Sequence, residues 1–337
     1  MTKNDSGLQN FSNHKINYFD IKSLILKKIK EKGGWVNCHA HFDRSFTITK
    51  ENFSLVNKYR HEKWKLNAEL RRTSTVSQIY DRMAASTELL LEQGVTATAT
   101  FIDVNHDIKD KSIQASQKLR DVYKDHMVFK FINGSNSDVF TKEGKEWFTI
   151  GTEFVDIIGG ILKSAEGKED EYLNFIFQTA KEKKKMVHMH VDELNSPDEK
   201  ETEILAEKTI EHDMKGKVIG IHAISLNAHP KDYREKVYKL IKKAEIMIVS
   251  NPLSWLNARR NETLAPIHNP IAPVDEMIQS GITVGIGIDN IADIFMPLND
   301  GNIWNDLRVL MEENRLYDID EVVKIATVNG RKILGLE

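Results

Sequence analysis

Short apolar runs alternate along the chain with charged stretches that have helical periodicity. The apolar runs occupy residues 34–43, 96–104, 126–134, 154–162, 186–193, 217–225, 245–253 and 282–290. The stretches with apolar residues three and four positions apart include 81–94, 171–185, 233–244 and 274–281. Alternation of strands and helices is typical of a parallel sheet, and eight such units in 337 residues predict a closed (β/α)8 barrel, an α/β fold of TIM-barrel type.

The start of the chain and one long connection lie outside this alternation. Residues 1–33 form an N-terminal extension that includes the Lys-rich amphipathic stretch 22–32, which predicts a helix, and we expect 15–32 to cover the bottom of the barrel. Residues 34–337 contain no linker or repeat, so we expect a single barrel domain. The connection 44–75 is the longest and predicts a loop and helix over the barrel mouth.

Composition and charge exclude several classes of partner. Lys and Arg total 47 against 50 Asp and Glu, a net charge of −3, and no basic run is interleaved with aromatic residues, so we expect no nucleic-acid partner. No segment is long and apolar enough for a membrane span or a signal peptide. Cys38 is the only cysteine, which favours a reducing compartment. We therefore expect a cytoplasmic protein that acts on a small molecule, with homo-oligomer formation left open.

Histidine and aspartate residues fall toward the carboxyl ends of the predicted strands. His39 and His41 are two positions apart, and such side chains share one face of a strand. His190, His222 and Asp289 follow near the ends of three later strands, at the edge where barrel enzymes build their sites. Three imidazoles (His39, His41, His190) and the Asp289 carboxylate suit one divalent ion, Zn²⁺ or Fe²⁺, which would activate a water molecule as a nucleophile.

The chain resembles the amidohydrolase superfamily, and within it the cytosine deaminase-like branch, through five motifs in the same order. They are HAHFD (39–43), HMHVDE (188–193), IHAISL (221–226), SNPLSW (250–255) and GIDNIADIFMPL (287–298). The resemblance implies that His39, His41, His190 and Asp289 are the metal ligands. It also implies that Glu193 shuttles protons and that His222 polarises the substrate or orients the nucleophile, so that Glu193, His222 and Asp289 form the catalytic set.

Strand alternation and the resemblance differ on the carboxylate that follows the fifth strand. Strict alternation aims Asp192 into the site together with His190, whereas the resemblance assigns the role to Glu193, which requires the strand to have ended. We expect His188 to lie one layer deeper as a buried hydrogen-bonding residue. Cys38 should point toward the helices as a packing residue.

The segments expected to face the substrate depart from the cytosine deaminase pattern. The loop INGSNSD (132–138) offers Asn133, Ser135 and Asn136 as hydrogen-bonding groups. Asn290 stands where the family has a second aspartate, and Phe295 replaces a tryptophan. We expect Trp255 and Phe295 to form flat apolar walls and Asn133 and Asn290 to contact the substrate.

Family members of the cytosine deaminase type usually carry a small β-sandwich built from both chain ends. Only about 33 residues precede the first predicted strand here, so we expect the barrel without this accessory domain. The leading functional prediction is metal-dependent deamination of an aminated nitrogen heterocycle: a cytosine-like ring, pterin, purine or triazine. Hydrolysis of a cyclic or linear amide is the alternative, and a non-catalytic binding barrel is a further one.

Overall fold

The computed structural model describes residues 19–134, 137–256 and 270–336. Eight parallel strands form one sheet in sequence order: β1 (Trp35–Asn37), β2 (Val95–Asp103), β3 (Val128–Gly134), β4 (Ile157–Ile161), β5 (Met186–Val191), β6 (Val218–His222), β7 (Met247–Ser250) and β8 (Val284–Ile286). The first and last strands meet where the Cys38 N–H donates to the Ile286 carbonyl at 2.9 Å and where a parallel bridge pairs Ala40 with Asp289. The predicted (β/α)8 barrel is confirmed, and within the described residues every strand belongs to this sheet.

Twelve α-helices accompany the strands in the described residues. They are α1 (Ile21–Glu31), α2 (Arg60–Thr73), α3 (Val76–Glu92), α4 (Lys111–Tyr123), α5 (Lys142–Phe154), α6 (Glu169–Lys183), α7 (Glu201–Glu211), α8 (Lys231–Ala244), α9 (Val274–Gln279), α10 (Ile303–Glu313), α11 (Ile319–Ala326) and α12 (Val328–Ile333). The helices predicted from periodicity are confirmed as α1, α3, α6, α8 and α9. Among these helices none is both long and apolar enough to cross a membrane.

Strands β1 and β8 are shorter than the apolar runs 34–43 and 282–290 from which they were predicted. After each strand the backbone leaves the regular ladder. The His39 carbonyl accepts from both the Ile288 N–H and the Asp289 N–H, each at 3.1 Å. This irregular contact brings the residues after β1 and those after β8 together at the barrel mouth.

The C-terminal residues close the bottom of the barrel. Ile333 and Leu334 belong to the apolar cluster of inward-facing strand residues such as Ala97 and Ile219. Helix α12 lies so close to β1 that a β-carbon on Gly330 would stand 2.7 Å from the Val36 side chain. On the opposite side of the barrel, a β-carbon on Gly335 would lie 3.2 Å from the sulfur of Met186, the first residue of β5. The segment from α12 onward therefore spans this end of the barrel, and the buried Cys38 thiol packs against it.

Helix α1, within the described part of residues 15–32, does not cover the barrel bottom as expected. Helix α1 buries Ile25 and Ile29 in the outer core, and Lys28 Nζ lies 2.6 Å from Asp320 Oδ1 of α11. It thus packs beside the outer helices, because α12 already fills the bottom. Residues 15–18 lie outside the described range, so the division into an extension, 1–33, and a barrel domain, 34–337, stays a prediction.

The connection 44–75 lies over the barrel mouth, as predicted. The N–H groups of Thr47 and Ile48 both donate to the Ala292 carbonyl at 3.1 Å, which ties the start of the connection to the loop after β8. Farther along, Arg71 Nε of α2 donates to Asp103 Oδ2 at the end of β2, at 2.6 Å. These contacts fix α2 above the carboxyl ends of the strands.

A methyl group at Gly330 tests the role of α12. Because it would overlap the Val36 side chain and the Cys38 sulfur, we expect Gly330→Ala to lower the free energy of unfolding by about 1–3 kcal/mol, the usual effect of overpacking. Lys332→Ala, at an exposed position of the same helix, is the matched control and should change it little. Chemical denaturation measures both values, and equal stability of the two variants would contradict this account of the barrel bottom.

Candidate metal centre

Six buried polar side chains converge at the carboxyl ends of the strands, each no more than 6% exposed. They are His39 and His41 after β1, His190 in β5, Glu193 after it, His222 at the end of β6 and Asp289 after β8. Donor atoms of three subsets lie within 4.8 Å of one another: His39, His41 and His190; His39, His222 and Asp289; and His190, Glu193 and His222. The structure therefore brings together all of the predicted metal-ligating and catalytic residues.

His39 shows most directly that this cluster suits a cation. Its side chain is fully buried, and neither ring nitrogen has a hydrogen-bond partner among the described residues. Nε2 of His39 and Nε2 of His41 both lie 3.3 Å from the same oxygen, Oδ1 of Asp289. A buried polar atom without a partner is costly, and a divalent ion shared by these atoms would remove that cost.

The protonation states of the other imidazoles also fit a metal centre. Burial lowers the pKa of His190 to about 3 and holds the pKa of His41 well below its usual value, so both rings are neutral. Nδ1–H of His190 donates to the Gly160 carbonyl at 3.0 Å. A carbonyl can only accept, so Nδ1 carries the proton and Nε2 keeps a lone pair for a metal.

Asp289 remains ionised although it is buried. Burial alone would raise the pKa of its carboxyl group, but the imidazoles of His39 and His41 outweigh that effect and hold the pKa well below its usual range.

The approach of β8 to β1 at this point requires a glycine at position 287, because a β-carbon there would lie 2.3 Å from Asn251 Oδ1 and 2.8 Å from the β-carbon of His39.

The backbone after β5 decides between the two candidate carboxylates. The strand ends at Val191, and Asp192 adopts a positive φ of 53°. The Asp192 carboxylate turns toward α7, where it accepts from the N–H groups of Glu201 and Thr202 at 2.8 and 3.2 Å. Glu193 instead faces the cluster, with Oε1 3.7 Å from Nε2 of His222. The geometry supports the assignment drawn from the resemblance and not strict alternation.

His222 is oriented by two residues of the SNPLSW motif that the sequence analysis did not single out. The amide nitrogen of Asn251 lies 3.2 Å from Nδ1 of His222, and the Ser254 hydroxyl lies 3.5 Å from the same atom. Because an amide nitrogen donates, Nδ1 accepts and the proton resides on Nε2. His222 can therefore donate a hydrogen bond from Nε2 into the site, toward Glu193 and Asp289.

Arg60 is a site residue that sequence reasoning missed. It is the first residue of α2, and its guanidinium forms an ion pair with the Glu193 carboxylate. Burial would raise the pKa of Glu193, but the charge of Arg60 outweighs it and holds the pKa below its usual value, so the carboxylate is ionised. The only sequence signal was the placement of Arg60 in the connection predicted to cover the mouth.

Three of the four residues predicted to contact the substrate lie around the barrel mouth. Trp255 is half-buried at the mouth, with the Arg60 guanidinium 4.9 Å from its ring centre. Phe295 has the Arg44 guanidinium 5.5 Å from its ring centre, and Asn290 Oδ1 accepts from Arg44 at 2.9 Å. Trp255, Phe295 and Asn290 thus lie around the mouth, although Arg44 already occupies the amide oxygen of Asn290.

Asn133 is not brought to the metal cluster. Its Oδ1 accepts from the Gly159 N–H at 3.1 Å, and its β-carbon lies beside Gly151 of α5, on the helix side of the sheet. A direct substrate contact by Asn133 stays a prediction that this placement does not favour. Ser135 and Asn136 lie outside the described residues. His188 is fully buried, as expected, and burial lowers its pKa to about 3, but the expected hydrogen bonds are not seen, because neither ring nitrogen has a partner among the described residues.

A (β/α)8 barrel with this donor set at the carboxyl ends of its strands defines a metal-dependent hydrolase. Comparisons with known proteins agree, since the model of the amidohydrolase family matches residues 33–337. The chain belongs to the amidohydrolase family, and it is a hydrolase that acts on carbon–nitrogen bonds.

Individual relatives are similar to different extents. An uncharacterized protein of Haemophilus influenzae is 44% identical over 261 residues, covering 76% of this chain and 95% of that protein. The N-isopropylammelide isopropyl amidohydrolase of Pseudomonas sp. is 24% identical, covering 94% of this chain and 79% of its own length. The structure of 5-methylcytosine deaminase from Klebsiella pneumoniae, liganded with 5-fluorocytosine, superimposes with a TM-score of 0.81 at 22% identity, covering 90% and 75% of the two chains. At that identity the superposition shows the shared fold.

Removal of single ligands tests the metal centre. We expect the purified protein to hold about one tightly bound divalent ion per chain, and His190→Ala or Asp289→Ala to lose it, because a catalytic site needs its full donor set. His106→Ala removes an exposed imidazole outside the cluster and is the matched control, expected to keep the ion. Elemental analysis gives the metal content, and an unchanged content in both ligand variants would refute the assignment.

Proposed function

We propose that this amidohydrolase removes ammonia from an aminated nitrogen heterocycle, such as a pyrimidine, pterin, purine or triazine. The observation that carries the proposal is the placement of Glu193 and His222 side by side at the ligand cluster, with 3.7 Å between Oε1 and Nε2. Hydrolytic deamination requires two groups of the protein: a carboxylate that accepts protons and an imidazole that donates a hydrogen bond.

The ligand assignment is part of this proposal. We infer that His39, His41, His190 and Asp289 hold one divalent ion, Zn²⁺ or Fe²⁺, since three neutral imidazoles and one carboxylate suit either. Bound there, such an ion supplies a water molecule that is activated for attack at neutral pH.

Glu193 moves the protons in this scheme. As an ionised carboxylate it takes one proton from the attacking water while the water oxygen bonds to the ring carbon. It gives this proton to the ring nitrogen, then takes the remaining proton of the added hydroxyl and gives it to the amino group, so that the ring carbonyl forms, the exocyclic carbon–nitrogen bond breaks and ammonia leaves. His222 donates from Nε2 to orient the substrate, and Asp289, whose Oδ2 lies 3.9 Å from that atom, helps to hold the imidazole in place as well as binding the ion.

The substrate proposal rests on the residues around the mouth. Trp255 and Phe295 provide flat apolar surfaces for a planar ring, and aromatic stacking favours such a ligand. Asn290 offers an amide where the cytosine deaminase pattern has a carboxylate, so the hydrogen bonds available to a ring differ. A site that pairs with particular ring groups rejects analogues without them, which is why we propose a ring other than cytosine.

Hydrolysis of an amide is a second candidate, because the same nucleophile can attack a carbonyl carbon. The observation compatible with it is the match of residues 33–337 to the amidohydrolase family model. The two candidates differ in product: deamination leaves a ring carbonyl and releases ammonia, whereas amide hydrolysis leaves a carboxylate together with an amine or ammonia, so the new carboxylate distinguishes them.

We also propose the cellular compartment of the enzyme and its partners. A single cysteine, buried against α12, fits the reducing cytoplasm. The partner is a small-molecule substrate, without nucleic acid or membrane, and association into a homo-oligomer is compatible with the fold.

Replacement of the proposed proton shuttle tests the mechanism. Glu193→Gln should keep the bound ion and the fold but lose roughly 10²- to 10⁴-fold in kcat, the contribution typical of a positioned acid–base group. Glu207→Gln, at an exposed position of the neighbouring helix α7, is the control. Kinetics and metal analysis on the same samples distinguish loss of the proton shuttle from loss of the bound ion. Near-normal turnover by the Glu193 variant would transfer the role to another carboxylate.

A screen for ammonia release tests the substrate class. We expect weak or no release from cytosine and measurable release from another aminated ring, with Phe295→Ala raising KM more than Asn290→Ala because stacking dominates binding. Efficient turnover of cytosine, with kcat/KM of roughly 10⁴ M⁻¹s⁻¹ or more, would refute the substrate proposal while leaving the metal centre intact.

A further inference from the structure

Arg60 lies at the mouth of the metal centre, in contact with two tryptophan rings. Its guanidinium carbon lies 4.9 Å from the ring centre of Trp255 and 5.2 Å from that of Trp64, one turn along α2. Flat aromatic surfaces on two sides restrict the planar group by cation–π contact. The side chain nevertheless keeps 28% of its surface exposed, whereas the Glu193 side chain keeps only 5%.

Arg60 also has hydrogen-bonding capacity that the protein does not use. A guanidinium carries five N–H donors, and among the described residues Glu193 is its only hydrogen-bond partner. The neighbouring arginines are more fully engaged. Arg44 contacts both Asn290 and Asp293, and Arg82 donates to the Asp43 carbonyl and the Ser74 hydroxyl.

The unused donors lie next to the reacting groups. The carboxylate that Arg60 contacts is Glu193, and Glu193 is 3.7 Å from His222 within the ligand cluster. A planar guanidinium matches a carboxylate in geometry and binds it with two parallel hydrogen bonds better than any neutral group. The Glu193 contact shows that a carboxylate can reach Arg60 from inside the site.

We propose that Arg60 is a substrate-binding residue that recognises a carboxylate group on the heterocycle. The inference rests on the proposed function, because it names the substrates of that site as aminated rings that carry an acidic substituent. Ring stacking on Trp255 and the ion pair with Arg60 then act together, since the indole contacts both the ring and the guanidinium.

Binding of matched ligand pairs tests this inference without requiring turnover. The metal-loaded enzyme is titrated by calorimetry with uracil and orotate, which is uracil with a carboxylate at carbon 6, and with 5-azauracil and its carboxylate, oxonate. We expect the carboxylate to tighten binding in at least one ring pair. In Arg60→Gln we expect that gain to fall by roughly 10- to 100-fold, as for loss of a hydrogen bond between charged groups.

Two further variants make the test specific. Arg72→Gln removes an exposed guanidinium from the same helix, paired with Glu69 and Asp107, and should leave the gain unchanged. Glu193→Gln removes the internal carboxylate that competes for Arg60, so we expect orotate or oxonate to bind more tightly to it while the uncharged rings do not. Because loss of a carboxylate also lowers repulsion of any anion, the gain is assigned to Arg60 only if it disappears in the double variant Arg60→Gln/Glu193→Gln.

Two outcomes would overturn the inference. One is equal affinity for both members of each ring pair in the unmodified enzyme, and the other is a carboxylate preference that survives in Arg60→Gln. Failure of the proposed function would appear differently, as a fully metal-loaded protein that releases ammonia from no aminated ring, whatever its preference in the binding experiment.

Discussion

The site depends on one buried side chain, that of His39. Its ring has no exposed surface, its nitrogens lack hydrogen-bond partners in the described part of the chain, and its own carbonyl accepts from the backbone of Ile288 and Asp289. The backbone contact brings the Asp289 carboxylate to the ring, and Gly287 is required because any side chain there would overlap His39. The backbone contacts that close the barrel between β8 and β1 thus also bring the donor atoms of His39 and Asp289 together.

The two consecutive acidic residues near this cluster, Asp192 and Glu193, make different contacts. The Asp192 carboxylate is used by the backbone of α7, while Glu193, the next residue, is ionised and faces His222. Arg60 reaches Glu193 from a helix that belongs to the connection over the mouth and not to the barrel itself. The barrel therefore supplies the six residues of the cluster, and the added helix supplies a cation.

Much of this arrangement is predictable from sequence, for identifiable reasons. Strand–helix alternation depends on local periodicity, and the carboxyl ends of parallel strands meet at one edge, so the convergence of His39, His190 and Asp289 follows from the order of the elements. The choice of Glu193 does not follow in this way, because it depends on a positive φ at Asp192 that alternation does not reveal.

Other features depend on contacts between distant parts of the chain, which a single sequence does not encode locally. Asn133 lies near the end of β3, a strand predicted correctly, but its side chain lies on the helix side of the sheet and accepts a hydrogen bond from the Gly159 N–H. Closure of the barrel bottom by α12 in place of α1 is decided by how Ile333 fits inside the strands. Arg60 is one of many basic residues, and it is distinguished only by contacts in the folded chain, with Glu193, Trp64 and Trp255.

The most direct test of the central claim is anomalous X-ray diffraction from crystals of the metal-loaded protein, recorded on both sides of the zinc or iron absorption edge. The account predicts one anomalous peak per chain, within about 2.0–2.2 Å of donor atoms from His39, His41, His190 and Asp289. A peak bound elsewhere, or one held by His222 and Glu193 without His39, would contradict it.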